Sequence, residues 1–216
     1  MRIKTLILSL CLVLVVLTAA AGTIAYLTDT DEVVNSFTVG NIDMKVEESP
    51  VDENGQKVEE GLPTKGNSYH LLPGKTYSKD PYVTIAKGSD PCYVRMKVTI
   101  NKVAELKAIF GDNFLPENYV GEWNRGIWPC AGIVDNGDNT ATYEFRYCEI
   151  VDASLAEADM VLPALFQSIT VPGEVTSEQL KTLSELNIKV VGHAIQADTF
   201  ADADAAWFAF GEQTGE

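Results

Sequence analysis

Nine consecutive residues, Cys92-Tyr93-Val94-Arg95-Met96-Lys97-Val98-Thr99-Ile100, alternate without a break. Successive side chains leave a strand on opposite faces, so this phase puts Cys92, Val94, Met96, Val98 and Ile100 on one side. Tyr93, Arg95, Lys97 and Thr99 fall on the other. A helix would scatter the same apolar residues around its axis. The segment therefore reads as a half-buried antiparallel strand, and the rest of the chain has to supply a second layer to cover its apolar face.

The remaining sequence is punctuated by Gly, Pro and Asn, with β-branched and aromatic runs between. Residues 142–151 alternate again, with Tyr143, Phe145 and Tyr147 inward and Glu144, Arg146 and Cys148 outward. Asp135-Asn136-Gly137-Asp138-Asn139 is a strong turn, so 126–134 and 140–151 form a hairpin. Further strands are expected at 37–46, 82–86, 166–171 and 188–197. The apolar phase slips between Val39 and Ile42, which sets a bulge or bend at Gly40-Asn41. Three short helices fit between strands. Residues 101–110 stop at Gly111, and 177–186 open on the capping-box pattern Thr176-x-x-Gln179. Residues 202–210 close at Gly211, with Ala205, Phe208 and Ala209 able to cover an open sheet edge. Residues 47–68 are charged and aperiodic and read as a mobile insertion loop. The expected fold is mainly β: an antiparallel β-sandwich of jelly-roll type with a few short helices.

The N-terminus carries a different signal. Arg2 and Lys4 lead into an apolar run over residues 6–17, then a small-residue segment, then Thr23-Ile24-Ala25 ahead of the acidic Tyr26-Leu27-Thr28-Asp29-Thr30-Asp31-Glu32. That order is that of a secretory signal peptide. Thr23 and Ala25 suit the two small pockets that a signal peptidase reads, which places cleavage before Tyr26. Ala19-Ala20-Ala21 offers a second site. The alternative is an uncleaved anchor, since residues 6–25 reach the roughly 20 apolar residues that cross a bilayer. The expected organisation is a signal at 1–25 and one β-sandwich domain at 26–216, beginning with an extended segment at 26–39.

All 31 acidic residues lie beyond residue 25 and two of the 16 basic ones before it, so the processed chain carries a formal charge of −17. Such a surface repels nucleic acid and anionic membranes, leaving membrane contact to the uncleaved signal alone. Cys11 belongs to the signal, so the domain retains Cys92, Cys130 and Cys148, too few for a disulfide-stapled scaffold.

In AYLTDTDEVVNSFTVGNIDMKV, Asp29, Asn35, Phe37 and Gly40 after this leader resemble the export signal and mature start of the TasA/camelysin family. These are secreted biofilm-fibre proteins whose precursors are processed by a SipW-type signal peptidase. The likeness continues in pieces. Leu72-Pro73-Gly74 followed by Val83-Thr84-Ile85 resembles the family's turn and next strand, and Tyr93-Val94-Arg95-Met96-Lys97-Val98 its most recognisable strand. Trp123 to Tyr147, then Leu165-Phe166 and Val171-Pro172, resemble its later strands, and Ala194-Ile195-Gln196-Ala197-Asp198 its closing strand. Most of residues 25–210 are covered, with 47–68 outside. The three cysteines of the domain depart from the pattern of the best-known fibre formers.

The resemblance implies a non-enzymatic, exported structural subunit of biofilm-matrix or cell-surface filaments. Its partners would be signal peptidase during export, then itself or a related fibre subunit. It further implies that the mature N-terminus inserts as a strand into a neighbour, with Asp29 in its polar start and Val33, Val34, Phe37 and Val39 filling an apolar groove. Two other readings stand beside it. Residues 37–46 read equally as an ordinary first strand, in a monomeric or membrane-held surface protein that binds a partner through loops. Camelysin-type members also carry a metalloendopeptidase label.

The residues give enzyme readings little support. A zinc-protease helix needs two histidines one turn apart, whereas His70 and His193 are distant and no H-E-x-x-H occurs. Asp198, Asp202 and Asp204 lack the spacing of a calcium loop, and helix capping explains Asp202 as well. Nothing local sets an imidazole beside a cysteine. Cys130 and Cys148 sit on the two arms of one hairpin, which permits a disulfide only if a bulge corrects their register. No cofactor is expected.

Overall fold

A computed structural model describes residues 28–31, 41–111 and 120–214. In chain order its strands are β1 (Thr28–Asp31), β2 (Met44–Glu47), β3 (Thr76–Ser78), β4 (Tyr82–Ile85), β5 (Cys92–Asn101), β6 (Val120–Gly121), β7 (Cys130–Asp135), β8 (Thr140–Arg146), β9 (Met160–Val161), β10 (Ser168–Thr170) and β11 (Ile188–Gln196). The helices are α1 (Val103–Phe110), α2 (Ser177–Thr182) and α3 (Ala203–Thr214). None of these is long and apolar enough to cross a membrane.

One layer is a five-stranded sheet in the order β1-β11-β5-β8-β7; two three-stranded sheets, β3-β10-β6 and β2-β4-β9, make up the rest. Every pairing is antiparallel. This is the mainly-β, sandwich-like architecture that the alternating strands require.

β5 lies at the centre of the large sheet, and its phase is as read: Cys92, Val94, Met96, Val98 and Ile100 are all buried. They share one core with Ala141, Tyr143 and Phe145 of β8, Met44, Val83 and Ile85 of the facing sheet, and Trp128, Leu162 and Leu165. Trp128 is fully buried, and its Nε1 donates to the Pro163 carbonyl at 2.8 Å, so its one polar atom is satisfied inside. The layers approach closely at Gly192. A Cβ there would stand 2.3 Å from Val46 Cγ2 and 2.6 Å from Met44 Cε, so β11 carries no side chain under β2.

The 135–139 turn closes the β7–β8 hairpin as expected. Asp135 Oδ1 accepts from the Gly137 amide, and Asn139, at φ 65°, accepts from the Ala104 amide near the start of α1. The hairpin turn thereby supplies a cap to a distant helix. α2 has the full capping box between Thr176 and Gln179.

The last helix departs from expectation, and residues 47–68 make contacts that their composition does not announce. Glu48 bridges Thr64, Val51 bridges Lys57, and the Ser49 amide and hydroxyl both donate to Asp80. Part of the segment's polarity goes into these hydrogen bonds, and the rest faces solvent. α3 does not stop at Gly211, and it covers a sheet face, not an edge. It buries Ala206, Trp207 and Phe210, leaving Phe208 73% exposed. The strand expected at 37–46 has only its last part among the described residues, as β2.

Candidate functional site

The two margins of the large sheet differ. On one, β1 lies antiparallel along β11, with Thr28 opposite Ile195, Asp29 opposite Ala194, Thr30 opposite His193 and Asp31 opposite Gly192. Backbone groups make that ladder, so it places little demand on sequence. β11 pairs β5 over nine residues but β1 over four, from Gly192 to Ile195. Of the expected insertion residues, Asp29 sits within β1. Val33, Val34, Phe37 and Val39 lie outside the described residues, as do Thr23, Ala25 and Tyr26 of the cleavage site.

On the other margin, β7 pairs only with β8 among the described residues, and all six of its residues are exposed, including Ile133 at 57% and Val134 at 59%. An exposed edge strand of this kind is a template for pairing with another chain. Beside it opens an almost wholly apolar cleft lined by Val98, Trp123, Ile133, Tyr143, Phe145 and Leu165.

The outer face of the sheet carries a polar cluster that alternation alone assigns to solvent. Arg95 and His193 lie opposite each other on β5 and β11, and both are buried. Arg95 Nε donates to His193 Nδ1 at 3.0 Å, which makes Nδ1 the lone-pair nitrogen. Arg95 NH1 reaches Glu144 Oε2 at 3.2 Å, and Arg146 Nε donates to Glu144 Oε1 at 2.6 Å. The guanidinium carbon is 4.5 Å from the Trp207 ring centroid and 4.7 Å from that of Phe210, while His193 stacks on Phe210. Arg146 also binds Asp204 at 2.5 Å. This cluster fastens α3 to the strand that carries β1.

The cysteines do not come together. Cys130 stands opposite Phe145, and the Cys148 amide donates to the Ile127 carbonyl, so the two thiols are out of register despite the bulge between Cys130 and Gly132. Neither forms a disulfide, and both are exposed. Cys92 is buried, and desolvation pushes its thiol up to about 12, an inert state for a nucleophile. His70 is exposed, and His193 is buried against Arg95 and Phe210. Asp202 Oδ1 accepts from the Ala205 amide, the capping role expected of it. Among the described residues no three His, Cys, Asp or Glu side chains gather as a metal site. The buried Arg95–His193 pair was not anticipated. Its signal, two polar residues at matching positions of neighbouring strands, is visible only once the strands are paired.

No protein-family model, no curated protein and no solved structure matches the chain.

Proposed function

We propose that this chain is an exported structural subunit of extracellular biofilm-matrix or cell-surface filaments. Assembly proceeds by seating the mature N-terminal strand of one copy on the sheet of the next. The observation that carries the reading is the β1–β11 ladder: the segment directly after the expected cleavage point is competent as a strand, and it pairs with a sheet margin. An identical segment from a neighbour makes the same backbone bonds, and exchanging an identical element is a low-cost route to assembly. Continued in the same register, an incoming strand would set Val33 opposite Val190 and Val34 opposite Lys189. The contact is heterologous, head to tail, and builds an open filament where its rotation does not close a ring. Signal peptidase acts first, because only a freed N-terminus reaches another subunit. The resemblance to the TasA/camelysin family in the leader and in the order of strands supports the same reading.

One observation favours a second reading. β1 lies on its own chain's β11, as it would in a monomeric surface protein that uses its apolar cleft or loops to hold a partner. Electron microscopy and sedimentation of the chain starting at Tyr26, beside one starting at Phe37, separate the two. Filaments from the longer form alone, with both forms folded, are expected. Monomers from both, at acidic pH and with calcium as well, would rule out the inserted-strand polymer.

A further inference from the structure

The arm at 47–68 ends in a buried cluster that filament assembly does not use. Glu48 directly follows β2 and Lys79 directly follows β3; both are more than nine-tenths buried. Lys79 Nζ donates to Glu48 Oε2 at 2.6 Å, and Asn67 Nδ2 donates to Glu48 Oε1 at 3.0 Å. One carboxylate thus holds a primary amine on one oxygen and a primary carboxamide on the other. The Asn67 amide is fixed further: Nδ2 donates to the Ser49 carbonyl at 2.9 Å, and Oδ1 accepts from the Val51 amide at 3.1 Å. The Tyr69 ring centroid lies 6.0 Å from Lys79 Nζ. The neighbouring carboxylate, Asp80, is taken up by the Ser49 amide, the Ser49 hydroxyl and Lys57 Nζ, which leaves Glu48 as the acid–base group between amine and amide.

As a stabilising device a buried ion pair is a poor choice, because desolvation offsets most of the attraction. As a reaction site this cluster holds a nucleophile, an electrophile, a proton carrier and an oxyanion donor. We propose that Lys79 and Asn67 condense into an intramolecular amide, with Glu48 as the catalytic proton carrier. Glu48 takes one proton from Nζ, which exposes the lone pair of the amine. Nζ attacks Asn67 Cγ, and the Val51 N–H already on Oδ1 stabilises the charge that develops there. A second Nζ proton passes through the same carboxyl group to Nδ2. The Cγ–Nδ2 bond then breaks, and nitrogen leaves as ammonia, taking the carboxyl proton with it as ammonium. A Cγ–Nζ bond replaces a Cγ–Nδ2 bond, so the step needs no oxidant, metal or cofactor. The product ties the end of the arm to the strand below it with a bond that reducing agents do not cleave. The proposal is independent of the filament reading.

Trypsin digestion of the folded chain, followed by tandem mass spectrometry, tests it. Without the bond, cleavage after Lys65, Lys75, Lys79 and Lys87 releases residues 66–75, 76–79 and 80–87 separately. With it, Lys79 resists cleavage, and 66–75 emerges joined to 76–87, lighter by one ammonia, about 17 Da, than the two peptides together. Glu48→Gln, checked for folding by circular dichroism, is expected to abolish the branched species. Asn67→Asp, where it links, should lose water instead, about 18 Da, a change that a structural ion pair has no means to produce. Full recovery of free 76–79 from the folded wild-type chain overturns the proposal. A branched peptide that persists in Glu48→Gln overturns the role of Glu48. Should Glu48→Gln fail to fold, the wild-type digest decides the matter alone.

Discussion

Replacing Arg95 with Ala should loosen the whole C-terminal third of the sandwich, and the structure sets the size of the effect. The guanidinium is almost fully buried and has partners on four sides: His193 Nδ1, Glu144, and the faces of Trp207 and Phe210. Breaking a buried charged pair costs about 3–5 kcal/mol, chiefly because the surviving charge is stranded. Here Glu144 keeps Arg146 at 2.6 Å, which argues for the low end. Against that stand the loss of the donor facing His193, about 1–3 kcal/mol, and of two desolvated cation–π contacts, about 0.5–2 kcal/mol each. These terms overlap, so the expected loss is about 3 kcal/mol. For a chain of this size that lowers Tm by roughly 6–12 °C. Urea unfolding followed by circular dichroism and tryptophan fluorescence measures it. Arg95→Lys, which keeps charge but not the planar fork, should fall between wild type and Ala. A loss under about 1 kcal/mol for Arg95→Ala would mean that α3 is held by apolar contact alone, and the electrostatic account would be wrong.

Three further outcomes are expected. Above pH 9 the unfolded Cys92 thiol releases its proton while the folded one holds it up to about 12, so stability should fall as pH rises through that window, by up to about 1.4 kcal/mol per unit; Cys92→Ala should flatten the part of the slope due to this thiol, and an unchanged slope in denaturant titrations counts against it. Alkylation of the folded domain, mapped by mass spectrometry, should label Cys130 and Cys148 promptly and Cys92 only after unfolding; an intramolecular Cys130–Cys148 bridge would show instead as a protected pair. Gly192→Val should prevent folding or cost several kcal/mol, because its Cβ alone would enter Val46 and Met44; a soluble variant with wild-type Tm would place β2 elsewhere.

Much of the β-fold was legible because its signals are local. The phase of β5, the turn at 135–139, the stop at Gly111 and the capping box at Thr176 each depend on residues within a few positions of one another. α3 shows where such reasoning stops. Residues 205–210 read Ala-Ala-Trp-Phe-Ala-Phe, apolar in every direction, so no period could choose Trp207 and Phe210 over Phe208. The face was chosen by Arg95 and His193, which meet only after distant strands pair.

The β11 margin and the arm follow the same division. Sequence alone set a basic and apolar leader in front of an acidic segment, and placed enough alternating strands behind it to require two layers. It could not say which margin that segment would pair with, since a backbone ladder reads almost no side-chain information. Nor could it tell that Glu48, within the polar run 47–68, turns inward while most of its neighbours face water. Glu48, Asn67 and Lys79 are each unremarkable as sequence, and a charged, aperiodic run is ordinarily a solvated one. Only the tertiary structure gathers them around one buried carboxylate, because hydrogen bonds across 19 and 31 positions form when the chain has already folded.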